Sequence, residues 1–148
     1  MPSSLENLLN LQKIGKLKAE PPDKAEFEGL VRSAKRKLPD AENITLSPDS
    51  RFILAYDAAH SLALAALRWH GFRSENRYMV FQVLAHTLSL PTAKWRFLDN
   101  CHQKRNVALY DGDYSEDKPL IEELIAVTKE LKAAVEALGP IPPWPKDG

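Results

Sequence analysis

The stretch from Ser47 to Gly71, SPDSRFILAYDAAHSLALAALRWHG, constrains the fold more than any other part of the chain. Ser47 can cap a helix. Pro48 suits the first helical position, where a missing N–H costs nothing, and Asp49 complements the positive end of the helix dipole. Beyond them Ile53, Leu54, Tyr56, Ala58, Leu62, Leu64, Ala65 and Leu67 spread around much of the circumference. A helix that is apolar on most of its faces must be covered on most of them, so it belongs at the centre of a bundle. Gly71 is a fitting stop.

The flanking segments read as the helices that cover it. From Ser3 to Ala19, the apolar residues Leu5, Leu8, Leu9, Leu11, Ile14 and Leu17 fall mostly on one stripe, with Pro21 and Pro22 expected to end the helix. From Asp23, Phe27, Leu30, Val31, Ala34 and Leu38 repeat the pattern up to Pro39, and the polar run Asp40 to Pro48 reads as a loop. Ser74 with Arg77 and Tyr78 opens a helix from Tyr78 to Leu88, ended near Pro91. Another runs from Thr92 to Leu109, with Trp95, Phe97, Leu98, Cys101 and Val107 on its apolar side. After the acidic turn DGDYSEDK, Leu120, Leu124, Val127, Leu131, Ala134 and Leu138 mark a last helix from Lys118 to Leu138. The tail GPIPPWPKDG carries too many prolines to be helical, and Trp144 is its expected anchor. No internal repeat and no strand pattern with hairpin turns is present. The expectation is an all-α fold, an up-and-down helical bundle of about five helices, in a single domain over 1–148 with a non-helical tail at 139–148.

Composition narrows the function. The length of 148 residues suits one domain. The 20 basic and 20 acidic residues cancel, which argues against a dedicated sequence-independent nucleic-acid binder but leaves room for a local basic patch. The single cysteine, Cys101, excludes an internal disulfide framework and fits a reducing compartment. No apolar run is long enough to span a membrane, and the start MPSSLENLLNLQ lacks the pattern of a secretory signal, so the expectation is a cytoplasmic chain with no membrane partner.

Metal and cofactor chemistry find little footing. His60, His70, His86 and His102 show no i, i+4 pairing and no metal-ligand spacing, and the six glycines form no phosphate loop. Neither a metal nor a cofactor is expected. Cys101 and His102 are adjacent, hence about 100° apart on a helix, so Cys101 reads as a small buried core residue and not as an activated nucleophile. The stretch CHQKRNVALYDGD, Cys101 to Asp113, is the informative one. Lys104 and Arg105 near a helix C-terminus can simply complement its dipole. That leaves an Asn in a late turn followed by Tyr, Asp and Gly without an account.

KRNVALYDG, together with AYDAAHSLALAALRWHGFR, resembles the HEPN family of small helical bundles. That family carries Arg, then Asn, Asp or His, then usually a His a few residues on. Here Arg105-Asn106 matches the first half and Tyr110 stands where the His would be, as in a subgroup with a Lys-Arg-Asn run leading to Tyr. The likeness spans about Arg51 to Gly112. It implies a homodimer with two copies of the Arg motif across a shared cleft. In active members that cleft cuts RNA without metal, with Arg105 as the cation on the phosphate and Asn106 orienting a neighbour. Tyr110 ionises near 10 and is a poor base at neutral pH, whereas His102, three residues before Arg105 and on the same helical face, could substitute. Lys104, Asp57 and Asp111 are the remaining binding candidates. A carboxylate buried in so apolar a helix needs a partner, so Asp57 either pairs with an arginine such as Arg105 or Arg73 or lies on a solvated face or at a dimer contact. Other members do not cut and act as binding modules, often beside a small nucleotidyltransferase in a toxin–antitoxin pair. The resemblance therefore implies a two-component binding module for RNA, a nucleotide or a partner protein. The alternative is a metal-independent endoribonuclease toxin.

Overall fold

The computed structural model describes residues 3–74, 77–111 and 118–144, with residues 77–78 and 107–111 described through their backbone. It is an all-α helical bundle with one two-residue strand pair. Three helix starts follow from their capping residues. Ser3 Oγ accepts the Glu6 N–H at the head of α1 (Ser4–Lys13), and Asp23 Oδ1 accepts the Glu26 N–H at the head of α2 (Lys24–Ala41). Ser47 Oγ accepts the Ser50 N–H at the head of α3 (Pro48–Trp69), with Pro48 in the first turn as expected.

Several boundaries differ from the sequence reading. The first helix stops at Lys13, because Gly15 takes φ +79° and the Lys16 N–H turns back to the Leu11 carbonyl at 2.9 Å. Residues Lys18–Ala19 then form β1, which pairs antiparallel with β2 (Phe72–Arg73). Pro39 lies inside α2 and does not end it: in the last turn it removes a single backbone donor, and the Glu42 N–H closes onto the Leu38 carbonyl at 3.2 Å. The expected helix from Tyr78 to Leu88 is two short ones, α4 (Arg77–Gln82) and α5 (Leu84–Thr87). They are separated at Val83 by a tighter turn, in which the His86 N–H donates to the Val83 carbonyl at 2.8 Å. Next, α6 (Thr92–Asp111) runs two residues past Leu109, and α7 (Lys118–Glu136) stops short of Leu138, near Gly139 with φ +79°. The acidic turn falls largely on 112–117, outside the described residues.

The packing explains the alanine-rich centre. Ala55, Ala58, Ala59, Ala63, Ala65 and Ala66 of α3 are fully buried, and their small side chains let α2 and α7 approach closely. Phe52, Leu62, Leu98, Ile121, Leu124 and Leu131 complete this core. A second cluster, Leu8, Leu17, Leu67, Phe72, Met79 and Val83, seats α1 and the strand pair on the far end of α3.

At that end Arg68, 2% exposed, acts as a clamp. Its Nε donates to Glu26 Oε1 at 2.5 Å, Nη2 to the Pro21 carbonyl at 2.6 Å, and Nη1 to the Glu20 and Phe72 carbonyls at 3.2 Å each. Arg73 joins it, donating to Glu20 Oε2 and Glu26 Oε2. The tail crosses here as well: Trp69 Nε1–H donates to the Gly139 carbonyl, and the Trp144 ring lies so close to Gly71 that a methyl there would overlap it. Trp144 is thus docked, as the sequence suggested. Among the described residues no helix is long and apolar enough to cross a membrane.

Candidate functional site

The chemistry-bearing part of α6 faces α3. On α3, Phe52, Tyr56 and His60 repeat every four residues and so stack along one face, with ring centroids 6.4 and 6.2 Å apart. Phe81 of α4 closes this row edge-on, 5.9 Å from both Tyr56 and His60. Across from it, α6 presents His102, Arg105 and Asn106, which its three- and four-residue spacing places on adjoining sides of one face.

Tyr56 is where the two helices meet. Its hydroxyl lies 2.5 Å from His102 Nδ1, and its ring carries the Arg105 guanidinium 5.1 Å above the centroid. The other imidazole nitrogen, His102 Nε2, lies 3.3 Å from Asn106 Nδ2. A neutral imidazole has one N–H and one lone pair. With the Asn106 amide nitrogen as donor, Nε2 is the acceptor, so Nδ1 bears the proton and donates to Tyr56. A single chain of contacts therefore runs Arg105, Tyr56, His102, Asn106. Tyr56 and His102 are buried, at 2% and 4% exposure, whereas Arg105 is half-buried and Asn106 and Lys104 are exposed.

Arg105 differs from the other partly or fully buried arginines. Arg51, Arg68 and Arg73 are each paired with a glutamate. Among the described residues Arg105 meets no carboxylate; its partner is the Tyr56 ring. A partly exposed guanidinium whose donors meet no carboxylate among the described residues can offer its fork to a phosphate or carboxylate from outside.

The expected site residues divide as follows. His102, Arg105 and Asn106 come together, and Lys104 lies on the adjacent exposed surface. Asp57 is a correction: it pairs with Lys37 of α2 at 3.9 Å, not with Arg105 or Arg73. The next residue on a helix is turned by about 100°, so with Tyr56 facing α6, Asp57 faces α2. Arg73 instead serves Glu20 and Glu26. The side chains of Tyr110 and Asp111 lie outside the described residues. Cys101 is buried, and burial pushes its thiol up to about 12, which keeps it protonated and inert. Among the described residues no three His, Cys, Asp or Glu stand together as metal ligands. Tyr56 and Phe81 were missed as site residues; the four-residue spacing of Phe52, Tyr56 and His60 was the available signal for the first.

No protein-family model matches this chain, nor does any curated protein or solved structure.

Proposed function

We propose that this chain is a HEPN-like binding module, a cytoplasmic homodimer and one half of a toxin–antitoxin type pair, that holds RNA or a nucleotide through Arg105 without cutting it. The observation that carries this reading is the contrast between Arg105 and His102. Arg105 is partly buried but still reaches solvent, and it meets no carboxylate among the described residues, so it is available to a phosphate. His102 is buried with contacts at both ring nitrogens. A general base must come within hydrogen-bond reach of the proton it removes. A covered imidazole whose Nε2 faces Asn106 holds its neighbours in place but does not approach a ribose hydroxyl. Lys104, exposed one residue away, would add a second positive charge beside the phosphate, and Asn106 a neutral donor.

Binding of a fluorescent single-stranded RNA, followed against salt, tests this reading. Phosphate contacts make the logarithm of affinity fall with the logarithm of salt, by roughly one unit of slope for each contact. Arg105→Ala is expected to weaken binding and lower the slope by about one. Equal binding by both proteins would remove Arg105 from the site.

One observation favours metal-independent cleavage as a second reading. An imidazole oriented through one nitrogen by a fixed partner, here Tyr56, is the arrangement that bases of nucleophilic and acid–base sites share. Cleavage would require Asn106 to swing away from Nε2 when RNA binds.

A further inference from the structure

We infer that Tyr56 is the positioning residue of the Arg105 site, fixing from α3 the two α6 side chains that would meet a phosphate. The inference rests on the binding reading above for what is bound, and on geometry for what is held.

An arginine side chain has four rotatable bonds and loses much freedom when it grips a ligand. Arg105 has no carboxylate among the described residues to hold it, so the Tyr56 ring under its guanidinium, 5.1 Å from the centroid, is what limits its motion. The ring itself is held by its surroundings. It is 2% exposed, packed between Phe52, His60 and Phe81, and anchored at its hydroxyl by His102 Nδ1. The same hydroxyl fixes the rotation of the His102 ring, and so the direction in which Nε2 faces Asn106. Two effects separate by atom: the ring places Arg105, and the hydroxyl, through His102, places Asn106. Tyr56 itself touches no ligand. It lowers the ordering cost of binding by holding the donors in place beforehand.

The first test needs no variant. In the parent protein, NMR should show contacts between the Arg105 Hδ protons and the Tyr56 ring, and an Arg105 Nε–H signal moved by the ring current. Tyr56→Leu should return that signal to the position of a free arginine, and Tyr56→Phe should keep it. Absence of the contacts in the parent overturns the proposal whether or not the variants fold. With the same single-stranded RNA as probe, Tyr56→Leu is expected to bind about 5- to 10-fold more weakly with an unchanged salt slope, because the cation remains but is no longer held. Tyr56→Phe should lose no more than about 3-fold, the share carried through Asn106. A folded Tyr56→Leu protein with unchanged affinity and an unchanged Arg105 signal also overturns it. If the parent shows the Arg105–Tyr56 contacts but binds no RNA, the positioning stands and the choice of ligand falls. If RNA binds through Arg105 with no such contacts, the ligand stands and the positioning falls.

Discussion

The Tyr56 hydroxyl and His102 Nδ1 stand 2.5 Å apart, joining α3 to α6 through a buried polar contact inside an otherwise aromatic cluster. Removing one partner of such a contact leaves the other without water and without its bond. Tyr56→Phe is therefore expected to destabilise the fold by about 1–3 kcal/mol although it keeps the ring. Urea unfolding of the two proteins measures this; equal midpoints would mean that the contact contributes nothing to the fold.

Arg68 should be the most damaging polar position in the chain. Replacement by Met keeps the length of the stem but strips donors from the carbonyls of Glu20, Pro21 and Phe72 and a partner from Glu26. The expected loss is about 3–5 kcal/mol, and Lys should not rescue it, because one ammonium cannot reproduce the forked geometry. Thermal unfolding of Arg68→Met and Arg68→Lys checks this prediction.

Much of the bundle was legible because it depends on local chemistry. Ser47 and Pro48 announce the start of α3, and the alanine-rich face of α3 announces its central place. Where the reading erred, the deciding contact was distant or subtle. The Lys18–Ala19 pairing with Phe72–Arg73 depends on residues far apart in the chain, and two residues carry no alternating pattern. Gly15 ends α1 at Lys13, six residues before Ala19, because the Leu11 carbonyl accepts from the turn, a possibility that the apolar stripe through Leu17 concealed. The site was half legible. Arg105, Asn106 and His102 stand together in one short motif, but Tyr56 lies 46 residues before His102, and no spacing rule joins them. Asp57 shows the converse: helix phase told that it points away from Tyr56, but not that Lys37 waits on that side.

Acid should weaken the fold in two stages. Burial holds the His70 ring below its ordinary 6.5, outweighing the hydrogen bond it donates to the Thr87 carbonyl. A histidine that resists protonation only when folded takes away stability as the pH falls below its unfolded value, here 6.5. For Glu26, burial acts to raise the carboxyl, but the hydrogen bonds from Arg68 and Arg73 outweigh it and hold the group below 4.5. Its contribution is present above the unfolded value and disappears as the pH falls through the lower folded one. Unfolding midpoints should thus decline gently below 6.5 and more steeply below 4.5. His70→Gln should reduce the first decline, to which His86, also held below 6.5 by burial, contributes, and Glu26→Gln should flatten the second. Profiles that match the parent's would contradict these assignments.

Cys101 should be silent in the native protein. With its thiol buried and pushed up to about 12, almost none is thiolate at neutral pH, and no reagent reaches it. A thiol-specific chromogenic reagent at pH near 8 is expected to react only after denaturant is added. Prompt reaction in the native state would show that α6 opens around this residue.

Binding of RNA by α6 through Arg105 without cleavage, as proposed above, is open to a direct test. The direct measurement incubates total RNA with the purified protein in excess chelator, then examines on one gel both the RNA retained and its integrity, with Arg105→Ala alongside. Intact RNA retained by the parent, with little retained by the variant, is the expected outcome. Cleavage by the parent that vanishes in Arg105→Ala would contradict it and establish the nuclease reading. Equal retention by both proteins would contradict it by taking Arg105 out of the site.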